Sequence, residues 1–172
     1  RPASFRYRAV ARYRLSQYRE CIPDFERVID LGESSPTIFG QLAYARRETG
    51  AFSGALEDFD RGLALAPENG WLWGNRGVCQ YELRDWRGSI EALDRAEQLG
   101  EQGTYIHFHR SRAKAELGDD PGALKDLDAL ISAVPWASSN LILRGRIQLR
   151  MGRSEDAARD FTRALAADAS SF

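Results

Sequence analysis

The chain has 172 residues, with 24 Lys and Arg against 25 Asp and Glu and a formal net charge of -1 at pH 7. That balance excludes bulk attraction to nucleic acid or to an anionic membrane, both of which reward a strongly basic face. No run approaches the ~20 apolar residues that a bilayer-crossing helix needs, and the N-terminal residues lack the apolar core of a signal peptide.

A small residue recurs every 34 positions, at Cys21, Ala55, Ser89, Ala123 and Ala157, and four positions after each stands Phe25, Phe59, Leu93, Leu127 or Phe161. A fixed internal period of this length marks stacked supersecondary units, none of which can bury its apolar face alone. Framed from Pro2, the units are 2–35, 36–69, 70–103, 104–137 and 138–171, without insertion. Beginning at Arg1 and not Met, the chain is expected to be a processed form or a piece of a longer protein.

In the first unit, Pro23 falls early in the second helix and is expected to delay its start or bend it, because an interior proline removes one backbone bond and crowds the preceding turn. The second unit shows helical spacing twice, over Phe39, Leu42, Ala43 and then Ala55, Leu56, Phe59, Leu63, with Thr49-Gly50 between. Two antiparallel helices per unit follow. Gly50, Gly118 and Gly152 mark first-helix ends, Asp120-Pro121 reads as an N-cap followed by proline at the first helical position, and Pro67 and Pro135 punctuate the joints between units. Small side chains at Ala9, Ala43, Gly77, Ser111 and Gly145 let each first helix approach its partner, beside which the Phe/Leu column packs.

In the third unit, Trp73-Gly74-Asn75-Arg76-Gly77 through Trp86, Ile90, Leu93 and Ala96 resembles the tetratricopeptide repeat (TPR) family. The second unit, with Phe39, Leu42, Ala43, Gly50, Phe52, Ala55, Phe59 and Pro67, is similar. The resemblance covers essentially the whole chain and implies an all-α superhelix, a TPR solenoid of five helix-turn-helix repeats forming a single domain over 1–172. It departs from the family pattern where Arg8, Arg76, Arg110 and Arg144 replace the usual Leu. These are read as ion-pair partners of the acid column Asp24, Asp58, Asp126 and Asp160: Arg8–Asp24, Arg110–Asp126 and Arg144–Asp160 within repeats, or Asp58–Arg76 and Asp126–Arg144 across a joint. Exposed pairs of that kind contribute about 0–1 kcal/mol each. An arginine ladder reading phosphates or carboxylates is the functional alternative.

The resemblance also implies a concave face lined by the first helices, where the family binds peptides. By repeat position that face takes Tyr7, Tyr13, Tyr44, Arg47, Trp71, Asn75, Tyr81, Tyr105, Phe108, His109, Arg112, Arg146 and Arg150. Aromatic and Arg side chains most often carry interface energy, so a protein or peptide partner is expected. Glu48, Glu82 and Glu116 form a column read as pairing with nearby arginines, or as a strip for a basic partner. The donors of the family's carboxylate clamp for chaperone tails are missing in every window of three repeats, and the asparagine ladder of a glycosyltransferase TPR is absent. Pentatricopeptide proteins share the architecture, but their 35-residue period and base-reading positions are not present, so no nucleic acid is expected.

His107 and His109 are the only histidines; two residues apart on a helix they cannot chelate one metal. His107 is read as a core residue and His109 as facing the groove. With no phosphate loop, nucleophile elbow or Cys/His metal spacing, no enzyme activity and no cofactor are expected. Cys21 and Cys79 stand at core columns and are expected to be buried free thiols, in keeping with a reducing cytoplasm. Trp136, after Pro135, either covers a joint or marks an exposed contact. The fifth repeat, ending Ala164-Leu165-Ala166-Ala167, lacks a polar capping helix, which solenoid ends usually need. Either the chain is expected to continue through Phe172 as the start of a further unit, or the open face is expected to be a contact surface, as for self-association.

Overall fold

The computed structural model describes residues 2–169, with side chains from Ala3 onward, and the expectations attached to Arg1 and Phe172 lie outside them. The described residues form ten α-helices and no strand: α1 Pro2–Arg14, α2 Tyr18–Asp30, α3 Pro36–Glu48, α4 Phe52–Leu65, α5 Gly70–Glu82, α6 Trp86–Gln98, α7 Thr104–Glu116, α8 Asp120–Ala133, α9 Ser138–Arg150 and α10 Ser154–Ala169. They pair as five helix-turn-helix repeats of an all-α TPR solenoid. Helix starts recur every 34 residues, at Tyr18, Phe52, Trp86, Asp120 and Ser154 for the second helices. Two compact units follow the chain, residues 1–101 holding α1 to α6 and residues 102–172 holding α7 to α10.

The turn inside each hairpin needs one left-handed residue, which ends the first helix. Gly50, Gly118 and Gly152 supply it at φ 82°, 78° and 76°, while Ser16 and Arg84 adopt it at 57° and 61° without glycine's freedom. Pro23 lies inside α2, yet α2 begins at Tyr18 in register with its counterparts, so the expected delay does not occur. The cap of α8 is Asp119, one residue earlier than expected, its side chain accepting from the Gly122 N–H with Pro121 in the first turn.

Within each hairpin the small column of the first helix faces the Phe/Leu column of the second. A Cβ on Gly77 would lie 2.8 Å from Leu93 Cγ, and one on Gly145 would lie 2.8 Å from Phe161 Cε1. Cys21, Ala55, Ser89, Ala123 and Ala157 are buried, as are Phe25, Phe59, Leu93 and Leu127, whereas Phe161 is only half-buried. Ala55→Leu should overpack the cluster of Ala43, Phe59, Leu63 and Leu72 and destabilise the fold by about 1–3 kcal/mol in chemical denaturation. An unchanged unfolding midpoint would contradict this packing.

The acid column forms buried rungs, not the exposed pairs the sequence suggests. Asp24, Asp58, Asp126 and Asp160 are all 3 % exposed or less. Arg8 grips Asp24 through Nε and Nη2 at 2.9 and 2.6 Å, and Arg144 grips Asp160 at 2.7 and 2.6 Å. Arg110 holds Asp126 in the same way, with Lys114 at 2.9 Å. The two pairs expected across joints are displaced by two residues. Asp58 takes Arg46 and Arg61, so Arg76 turns to Asp60 at 2.7 Å; Arg144 reaches Asp128, not Asp126, at 2.7 Å. The reason is competition, since each buried acid is already saturated by cations nearer to it. His107 is not a packed core histidine: it is half-buried with Nδ1 3.0 Å from Asp126 Oδ1, at the edge of that rung.

Cys21 and Cys79 are buried free thiols. Burial raises the Cys21 thiol to about 11 and the Cys79 thiol to about 12. The neutral form is thereby favoured, so at pH 8 the thiolate fraction is about a thousandth or less. Both thiols should resist Ellman's reagent in the folded protein and react in guanidinium. Two thiols reacting in the folded state as fast as free cysteine would contradict their placement.

Candidate functional site

In the first unit, aromatic side chains of successive hairpins meet along the first helices. Tyr13, at the end of α1, has its ring centroid 5.8 Å from both Tyr18 and Tyr44, and Tyr44 stacks on Trp71 at 5.9 Å. Trp71 in turn meets the Phe59 ring edge-on at 6.2 Å. Offset and edge-on geometry of this kind is the favoured one for aromatic quadrupoles. Burial, with neighbouring Tyr44 and Tyr18, raises the Tyr13 hydroxyl to about 12, and burial raises Tyr44 as well. These hydroxyls therefore remain neutral donors at physiological pH.

Arg47 crosses this row. Its guanidinium carbon lies 4.3 Å from the Tyr44 ring centroid, and Nη1 donates to Asn75 Oδ1 at 2.6 Å. Asn75 Nδ2 donates to the Trp71 carbonyl at 2.8 Å, and Asn75 is itself buried, so this amide works within the fold. Glu48 pairs with Arg47, in keeping with the structural reading of its column. Tyr7 is 68 % exposed, with the Arg6 guanidinium 5.5 Å from its ring, and Tyr81 packs on Trp86 at 5.1 Å.

The second unit carries a separate arrangement on α7 and α9. Tyr105 and Phe108, with Thr104, Leu130, Val134, Ala137 and Asn140, line an open hollow of about 310 Å³. Arg112 sits over the Phe108 ring, its guanidinium carbon 3.6 Å from the centroid, and donates to the Phe108 carbonyl at 3.2 Å and to Asn140 Oδ1 at 3.4 Å. His109 meets Phe108 edge-on at 5.1 Å. Arg146 is exposed, and Arg150 is engaged by Asp120 at 3.0 Å, with a second bond from its Nη2 to the same carboxylate.

The structure thus brings Tyr13, Tyr44, Arg47, Trp71 and Asn75 into one cluster, and Tyr105, Phe108, His109 and Arg112 into another. Tyr7, Tyr81, Arg146 and Arg150 belong to neither. Sequence reasoning missed Tyr18, the first residue of α2, and Asn140. The latter carried a signal, because it breaks an apolar column of Ile38, Leu72 and Ile106. A lone amide in such a column needs a polar partner, and Arg112 is that partner. Trp136 is 70 % exposed and covers no joint. Among the described residues no group of three or more His, Cys, Asp and Glu is placed to hold a metal ion, and no helix is long and apolar enough to cross a membrane.

No curated protein matches the sequence. Solved structures match its fold: the MamA MSR-1 structure at a TM-score of 0.88 and 20 % identity, covering 100 % of this chain and 99 % of that one. A MamA AMB-1 structure gives 0.89 at 20 % identity over 98 % and 92 %, and a MamA RS-1 double mutant 0.88 at 15 % over 99 % and 96 %. At such identities the likeness is one of fold. Residues 8–70 and 41–104 match the tetratricopeptide repeat family model, together more than half of the sequence. The chain belongs to the tetratricopeptide repeat family.

Proposed function

We propose that this protein–protein interaction scaffold takes a peptide or partner segment on the first-helix faces of its hairpins, with aromatic anchors and arginines as its reading groups. The observation that carries the reading is the open hollow lined by Tyr105 and Phe108, with the Arg112 guanidinium carbon 3.6 Å from the Phe108 ring centroid. Hollows of this volume accept one large side chain, and stacked Arg and aromatic groups lose little freedom on binding. The half-buried row Tyr13, Tyr44 and Trp71 offers a second anchor point in the first unit. Affinity capture from source lysate, comparing the wild type with a folded Tyr105→Ala/Arg112→Ala variant, tests the reading. Loss of at least one captured protein from the variant by about thirtyfold or more, a hot-spot effect of about 2 kcal/mol, supports it. Identical capture by both proteins refutes it.

A second reading, self-association through α10, is favoured by Leu165. That residue is 72 % exposed, whereas its counterparts Leu63 and Ile131 are 7 % and 5 % exposed. Leu165→Glu should turn any oligomer seen by sedimentation equilibrium into monomer, and a wild type that stays monomeric at high concentration would exclude this reading.

A further inference from the structure

The column that carries Arg12, Arg46 and Lys114 sets a cation against the buried acid of its own hairpin. In the last hairpin that position is Gln148, 6 % exposed, and its buried Oε1 has no hydrogen-bond partner among the described residues. Its counterpart Gln80 is held at both ends, accepting from Arg76 and donating to Asp85 at 2.8 Å each. Two differences undo that arrangement around Gln148, one at the position of Asp85 and one at that of Ala92, where Asp160 stands. Arg153 stands where Asp85 would be, and Arg144 is drawn away to Asp160 and Asp128. The amide is left lining a hollow of about 300 Å³ between α8, α9 and the start of α10.

Four guanidiniums and three carboxylates line this hollow, an excess of one positive charge. The carboxylates are occupied: Asp160 and Asp128 by Arg144, Asp156 by Arg153 and Arg159. Three of the arginines are not. Arg153 commits Nε and Nη2 to Asp156 and keeps Nη1, Arg159 commits only Nη2, and Arg163 makes only long contacts, 3.6 Å to Asp160 and 3.5 Å to the Pro135 carbonyl. The hollow therefore lacks negative charge and acceptor oxygens, while Gln148 Oε1 lacks a donor.

One group meets both needs. A phosphate presents three oxygens to guanidinium forks arriving from separate positions, and with a second ionisation near pH ~6 it still carries an O–H over part of the neutral range. A carboxylate has two oxygens in one plane and no proton to give at neutral pH. We propose that this hollow binds a phosphate group, its oxygens accepting from Arg153, Arg159 and Arg163 and its O–H donating to Gln148 Oε1. The phosphate belongs either to a free oxyanion or to a phosphorylated side chain of a partner.

Titration calorimetry of the full chain at pH 6.5 and fixed ionic strength tests the site. The ligands are sodium phosphate, a phosphoserine peptide and its unphosphorylated twin, and methylguanidinium. Binding of phosphate or of the phosphopeptide is expected, weakened about tenfold or more, as for loss of a charge-assisted contact, by Arg159→Gln and by Gln148→Leu. Comparable affinity for both supports a free oxyanion, and a clear preference for the phosphopeptide supports a phosphorylated partner. Arg159 is 68 % exposed, so its variant folds even where Gln148→Leu does not. No heat with either phosphate ligand, equal affinity for the unphosphorylated twin, binding of methylguanidinium in their place, or wild-type affinity in Arg159→Gln overturns the proposal.

Discussion

Replacing Asp126 with alanine should cost about 3–5 kcal/mol of folding stability, the penalty of stripping a buried ion pair of one partner. Asp126 is 2 % exposed and is approached by three basic groups: Arg110 Nη2 at 2.6 Å, Lys114 Nζ at 2.9 Å and His107 Nδ1 at 3.0 Å. Arg110 is the reason for the size of the effect. Its side chain is only 6 % exposed, so without the carboxylate its charge loses its buried counter-ion in a low-dielectric site. Asp24→Ala should cost less, roughly 1–3 kcal/mol, because Arg8 is 55 % exposed and can turn to water. Urea denaturation of both variants measures the difference. Equal costs would show that exposure of the cation is irrelevant to these rungs. Arg110→Met combined with Asp126→Leu should recover part of the loss, since it removes the buried Arg110 charge and leaves only the Lys114 ammonium, 15 % exposed, without this carboxylate.

The same rung carries a pH signature. Burial alone would raise the Asp126 carboxyl, but hydrogen bonds from Arg110, His107 and Lys114 outweigh it and hold the carboxyl below its ordinary value. Asp24 is likewise held low, chiefly by its hydrogen bonds from Arg8. A lowered folded-state value means that the unfolded chain binds the proton more readily. The stabilisation from both acids is thus complete above the ordinary carboxylate range near pH ~4 and is lost as pH falls through the folded values below it. Asp58 has the opposite sign. Burial raises it despite Arg46 and Arg61, so falling pH through that raised value adds a little stability before the other two acids give way.

The helix pairs were legible because a 34-residue period repeats each signal five times. Gly50, Gly118 and Gly152 marked the turns, and the facing small and Phe/Leu columns predicted which side of each hairpin is buried. The rungs were only partly legible. Arg8–Asp24, Arg110–Asp126 and Arg144–Asp160 are 16 residues apart and meet within a hairpin as expected. Arg76 and Arg144 reach across a joint to Asp60 and Asp128 because the acids two residues earlier are already taken. The third repeat departs furthest, since Ala92 stands where the others have the acid, and Gln80 with Asp85 substitutes for it. Candidate-site residues were the least legible. Helical spacing places Asn75 on the first-helix face, but whether its amide points outward is set by Arg47 and the Trp71 carbonyl, which come from packing and not from pattern.

Phe59→Ala should destabilise the protein by about 3–5 kcal/mol, while the same change at Phe161, one column position shared by both, should cost markedly less. Phe59 is fully buried among Ala43, Ala55, Leu63 and Leu72, with the Trp71 ring against it. Removing it forfeits the transfer of a whole ring and leaves a closed cavity, because the surrounding helices relax only in part. Phe161 packs on Gly145 in the same way but is half-buried, so its cavity opens to water and part of the ring was never withdrawn from solvent. The two truncations separate the column's geometry from its burial. Equal losses in chemical denaturation would mean that the exposed side of α10 is covered in solution, which is the result that self-association through Leu165 requires.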